Sequence, residues 1–123
     1  MRRLLFAVLL APMLALGLVP DASAQGRQNF SLVNRTGYQI NELYVGPSSS
    51  PNWGRDILGE NVLANGRRFD VRFPQSAAAC MWDIKVVYED GDTSEFMQVN
   101  LCRVSTVTLF WNRQAGTTRF VVE

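Results

Sequence analysis

From Phe30 onward the apolar residues recur in short runs with a period of two, and the runs are separated by Gly, Asn, Asp and Pro. No stretch sustains the 3.6-residue period of an amphipathic helix, so the pattern predicts strands joined by turns. Residues 30–33 form the first predicted strand, and Asn34 to Gly37 read as the turn that ends it. A second strand over 38–45 is predicted to carry a bulge, because Ile40 and Leu43 break strict alternation. In residues 67–73 Phe69, Val71 and Phe73 alternate with Arg68, Asp70 and Arg72, as in a strand with one buried face.

Residues 81–89 and 93–101 flank Asp90-Gly91, the residue pair preferred in a two-residue type I′ hairpin. That turn sets Trp82 opposite Val99, Ile84 opposite Met97 and Val86 opposite Glu95. Trp82, Ile84, Met97, Val99 and Leu101 then share a buried face, while Asp83, Lys85 and Gln98 face water. Residues 104–111 and 117–122 make a last hairpin, in which Trp111 alternates with Val107 and Leu109. Between the strands, the long segment 46–63 contains Ser50-Pro51, an N-cap followed by proline at the first helical position, which predicts a short helical turn near 51–58. The fold class expected is all-β: one small sandwich of seven or eight mostly antiparallel strands.

The first 24 residues have a different character. Arg2 and Arg3 precede an apolar run from Leu4 to Val19, and Ala22-Ser23-Ala24 supplies a small-x-small cleavage site before Gln25. A run of this length, interrupted by Pro12, is shorter than the about 20 residues of a membrane span. The expectation is a cleaved signal peptide over 1–24, Sec export to the periplasm or medium, and a mature domain over 25–123. Cleavage removes two of the twelve basic and one of the eleven acidic residues, leaving the mature domain neutral. A neutral surface exerts little long-range pull on phosphate backbones or anionic lipid, which argues against nucleic-acid and membrane partners.

Export changes the reading of the two cysteines. In an oxidising compartment Cys80 and Cys102 are expected to form a structural disulfide, and they lack the C-x-x-C spacing of thiol oxidoreductases. The hydrophobic pattern and a direct Cys80–Cys102 pairing disagree by one residue of register. Either the cysteines lie just past the paired segment or a bulge next to Gly91 absorbs the difference.

Histidine is absent and Lys85 is the only lysine, which removes imidazole bases, the usual zinc ligand sets and most Schiff-base chemistry. No cofactor is expected. The most unusual stretch is 46–59, where Asn52, Trp53, Arg55 and Asp56 fall on irregular chain. An indole among polar groups suits the face of a sugar or an anchor for a protein partner, and the opposing reading is a plug over one end of the sandwich with Ile57 and Leu58 beneath it. At the hairpin tip, Glu89, Asp90, Asp92 and Glu95 are oxygen ligands of the kind calcium takes, although the glycine does not fall where an EF-hand loop needs it. Asn34-Arg35-Thr36 matches a glycosylation acceptor, a pattern short enough to arise by chance.

Three functional classes remain. The first is a non-catalytic binding module for a periplasmic protein or glycan, the second a structural calcium module, and the third a small hydrolase using carboxylates such as Asp56 or Asp83.

The segments LVNRTGYQI, LYVGPSSSPNWGRDILG, VLANGRRFDVRF, CMWDIKVVYEDGDTSEF and NLCRVSTVTLFWNRQAGTT resemble those of a group of small exported bacterial proteins. The resemblance covers nearly all of the mature chain. It implies export without implying an activity. Sequences of this kind sometimes carry the label argininosuccinate lyase, which is rejected on physical grounds: that enzyme is a large helical tetramer whose length and residues are absent here. The group often has serine where this chain has Gly46.

Overall fold

Seven strands make up the fold, and a computed structural model describes them within residues 26–123. The expected signal segment 1–24 lies outside the described residues. The strands are β1 (Phe30–Arg35), β2 (Ile40–Pro47), β3 (Arg68–Val71), β4 (Met81–Tyr88), β5 (Thr93–Asn100), β6 (Thr106–Asn112) and β7 (Thr117–Val122). They form a four-stranded sheet in the order β3-β1-β6-β7 and a three-stranded sheet in the order β2-β4-β5. Every neighbouring pair is antiparallel except β1 and β6, which run parallel. Leu32, Ile40, Leu43, Ile84, Val86, Leu101, Val107 and Leu109 are completely buried between the sheets. The fold is the expected all-β sandwich.

Local chemistry accounts for the departures. No helical turn forms near 51–58. Ser50 Oγ accepts the Asn52 N–H (3.1 Å), but Asp56 Oδ1 takes up the N–H groups of Leu58 (3.0 Å) and Leu43 (2.9 Å) and pins the segment to β2. The carboxylate satisfies donors that a helix would have left to its own first turn. The bulge expected in β2 is present, with the register shifting between Ile40 and Glu42. It lets both Ile40 and Leu43 point inward.

The β4–β5 hairpin departs from the expected register at two places, its tip and a bulge between Trp82 and Ile84. At its tip the Tyr88 N–H donates to Asp92 O (2.8 Å) and the Gly91 N–H to Tyr88 O (2.9 Å), with Gly91 at φ +93°. The connection is therefore the three-residue loop Glu89-Asp90-Gly91 rather than a two-residue type I′ turn, a form that requires a left-handed residue in Gly91's place. This pairs Ile84 with Phe96, and so Phe96 is buried while Met97, expected inside, is exposed. A second bulge sets Asp83 against Met97 and Gln98, with Gln98 at φ +57°, and restores Trp82 opposite Val99.

Asp83, expected in water, is buried. Its Oδ1 accepts the Gln98 N–H (2.8 Å) and the Ser48 hydroxyl (2.7 Å), so it holds the bulge and the start of the 48–63 loop together. Beyond this bulge the Leu101 N–H donates to Cys80 O (2.8 Å), and Cys80 and Cys102 are disulfide-bonded just past the strands, with Cα atoms 5.1 Å apart.

Asn34, read as the start of a turn, is the inward residue of β1 and fully buried. Its Nδ2 donates to Tyr38 O (2.7 Å) and Leu63 O (3.0 Å), while its Oδ1 accepts from the Thr36 N–H (3.0 Å) and hydroxyl (2.7 Å). A buried amide with all four hydrogen bonds satisfied is a structural tie, closed to glycosylation.

Candidate functional site

The residues expected to bind are dispersed. Trp53 is half-buried on the outer face of the three-stranded sheet, not over an open end of the sandwich. Lys85 Nζ lies 5.3 Å from the centre of its ring and 4.9 Å from that of Tyr44, a cation held between two aromatic faces. The loop crosses β2 so closely that a Cβ at Gly46 would stand 3.0 Å from Asn52 O. Asn52 and Trp53 line a small cleft of about 130 Å³ together with Asp83 and Glu95. Arg55 lines a different groove, between Phe69 and Trp82, and Asp56 is occupied in fastening the loop. Trp82 is half-buried rather than core, its Nε1 donating to Ala79 O (2.9 Å).

Truncation of Trp53 to alanine should accordingly cost an intermediate amount, about 1–2 kcal/mol for partial burial plus the cation–π contact. A thermal melt checks this, since an exposed anchor would leave stability unchanged and a core plug would cost about 3–5 kcal/mol.

The hairpin-tip carboxylates are also separated. Asp90 Oδ1 accepts the Asp92 N–H (2.9 Å), an ordinary turn contact, and Glu95 lies on the Trp53 side. Among the described residues no three acidic or cysteine side chains converge on a point where a metal ion could sit.

Glu89, Asp90 and Asp92 instead border a cleft of about 500 Å³ walled by Tyr38, Tyr88 and Trp111. The three rings meet edge to face, with centroids 5.9–6.5 Å apart. Tyr38 lies in the turn between β1 and β2, and Tyr88 and Trp111 lie at strand ends. Tyr38 follows Gly37, whose φ is +89°; its carbonyl accepts from Asn34 Nδ2 and its N–H donates to the Thr36 hydroxyl oxygen (3.1 Å). Tyr88 closes β4, and its hydroxyl shares a hydrogen bond with Thr118 Oγ1 (2.6 Å), which also contacts Ser94 Oγ (2.7 Å). Trp111 is the penultimate residue of β6 and is half-buried. A backbone bond from the Glu89 N–H to Gln39 O (3.1 Å) ties the hairpin tip to the Tyr38 wall. Tyr38 is 50% exposed, so the cleft presents aromatic surface that the core does not use. Sequence reasoning missed this constellation because its parts come from three distant segments. The available signal was an aromatic in or next to a turn in each.

Two tyrosines resist ionisation. The hydrogen bond from Tyr44 to Glu42, with burial and the nearby Glu42 and Asp56 charges, pushes its pKa up to about 12. Burial raises that of Tyr88, against the opposing effect of its hydroxyl partners. A folded-state pKa raised above the unfolded value of about 10 gives stability that is complete below that pH and lost as pH rises through the folded value. The melting temperature should therefore fall between pH 10 and about 12, and Tyr44→Phe should flatten that fall.

No family model matches the chain, and no curated protein matches it in sequence. Among solved structures, it is similar to a protein from Eubacterium rectale determined by NMR, with a TM-score of 0.55 and 10% identity over 85% of this chain and 93% of that one. At such low identity the likeness establishes the fold alone.

Proposed function

We propose that this chain is an exported, non-catalytic binding module that engages its ligand in the aromatic cleft at the hairpin-tip end of the sandwich. The observation that carries the reading is the exposed ring of Tyr38 set edge-on to Tyr88 and Trp111 around a cleft large enough for a sugar ring or a peptide side chain. Aromatic walls with a polar rim are the composition of ligand sites, and the hydrogen bonds that fix the Tyr88 hydroxyl and the Tyr38 backbone lower the entropy lost on binding. The Cys80–Cys102 disulfide supports work in an oxidising compartment, the periplasm or medium. The non-catalytic assignment is supported by the lack of histidine and by the engagement of Asp56 and Asp83, the carboxylates of the hydrolase reading, in loop-fastening bonds.

The test is capture of periplasmic ligands on the mature protein, with Tyr38→Ala as matched bait. Tyr38→Ala should keep the fold, at a cost of about 1–2 kcal/mol for two edge-to-face pairs, and lose the ligand. A ligand retained by Tyr38→Ala and lost by Trp53→Ala would place the site on the 46–59 loop instead.

A further inference from the structure

We infer that the aromatic cleft selects a cationic side chain, a guanidinium above all, presented by a partner peptide; the inference rests on the binding-module reading and specifies its ligand. The charged residues lining the cleft are Glu89, Asp90 and Asp92, and no lysine or arginine lines it. All three are exposed, and none is in an ion pair: among the described residues the salt bridge is Arg68–Asp70, on the other sheet. The mature domain is neutral, so three uncompensated carboxylates at one opening make a local field that its net charge does not reveal.

The walls favour the same ligand independently. Aromatic faces carry negative quadrupole charge, and a cation over Tyr or Trp rings is attracted to them, as already occurs within this molecule where Lys85 sits between Tyr44 and Trp53. A phosphate or carboxylate ligand would meet repulsion from both rings and rim. A neutral ligand would draw little from the carboxylates. Guanidinium exceeds ammonium because its plane stacks on a ring while its edge donates paired N–H bonds to a carboxylate. Free arginine must also desolvate a charged α-ammonium and α-carboxylate at the cleft mouth, whereas an arginine within a chain presents the guanidinium alone, which favours a peptide as the source.

The experiment is an amide and indole NMR titration of the mature, disulfide-bonded protein with N- and C-blocked Gly-Arg-Gly, its citrulline isostere, its lysine counterpart, free L-arginine and a neutral oligosaccharide. The arginine peptide is expected to shift the signals of Gly37, Asp90 and the Trp111 indole and to bind at least about tenfold tighter than the citrulline peptide, the difference one charge-assisted contact makes. Glu89→Gln with Asp92→Asn should remove that difference and leave the melting temperature unchanged. Equal affinity for arginine and citrulline peptides, or shifts with the oligosaccharide alone, would overturn the charge preference and leave the binding cleft standing. Tighter binding of the lysine peptide overturns the guanidinium preference, and equal binding of free arginine overturns the peptide source. No shift of cleft signals with any of these probes would overturn the cleft as well.

Discussion

Reduction of the Cys80–Cys102 disulfide should lower the melting temperature by about 15–25 °C, the largest single effect expected in this molecule. The bond joins the chain just before β4 to the chain just after β5, at a sequence separation of 22. Closing a loop of that length restricts the unfolded ensemble by about 3.4 kcal/mol in the chain-entropy account. A small domain has a total stability of about 5–15 kcal/mol, so the staple is a large part of the whole. Hairpin contacts alone cannot replace it, because the bulge at Met97 and Gln98 interrupts the ladder between the cysteines and the tip. Melts with and without reductant measure the effect, and Cys80→Ala with Cys102→Ala should reproduce it. A shift of less than about 5 °C would mean that the unfolded chain is already held compact.

Asn34→Ala should destabilise the protein by about 2–3 kcal/mol, more than most truncations of comparable size. The substitution leaves the Thr36 N–H without its acceptor at a fully buried position and takes the amide donor from two carbonyls, of which Leu63 O keeps the Ile40 N–H (3.0 Å) and Tyr38 O has the Thr36 hydroxyl 3.1 Å away. The orphaned N–H bears its desolvation cost, and the missing amide leaves a cavity among buried neighbours. Asn34→Asp should fare little better, because a buried carboxylate would face two carbonyl oxygens where Nδ2 now donates. Chemical denaturation of the two variants checks both statements. The same residue also supports the cleft, since it fixes the carbonyl of Tyr38. A milder variant that folds, Thr36→Ala, should therefore weaken ligand binding without touching the cleft walls.

What could be read from the sequence was whatever depended on near neighbours. The alternation of Phe69 and Val71, the bulge between Ile40 and Leu43, and the two hairpins follow from period-two patterning and turn chemistry, and all are present. The hairpin register escaped because Glu89-Asp90-Gly91 forms a three-residue loop and a second bulge near Gln98 reverses its shift. Two opposite slips leave the pairing of Trp82 with Val99 unchanged while exchanging Phe96 for Met97 in the core.

Asp83 and Asn34 escaped for a different reason. Polar residues read as outward or as turn formers can be buried when a distant segment supplies their partners, here Ser48 for Asp83 and Leu63 for Asn34. The parallel pairing of β1 with β6 and the meeting of Tyr38, Tyr88 and Trp111 are likewise long-range. They depend on sheet order, which local pattern does not encode.

The cleft is the centre of this account, and the three tryptophans allow it to be tested in one spectrum. Trp111 lines the cleft, Trp53 lies on the outer face of the three-stranded sheet, and Trp82 donates its indole proton to Ala79 O. Their three indole N–H signals in the mature protein can be followed as a captured ligand, or the arginine peptide, is added. The account predicts that the Trp111 signal moves in a saturable way while those of Trp53 and Trp82 stay in place. Movement of the Trp53 signal with Trp111 unmoved would contradict it and return the binding surface to the 46–59 loop.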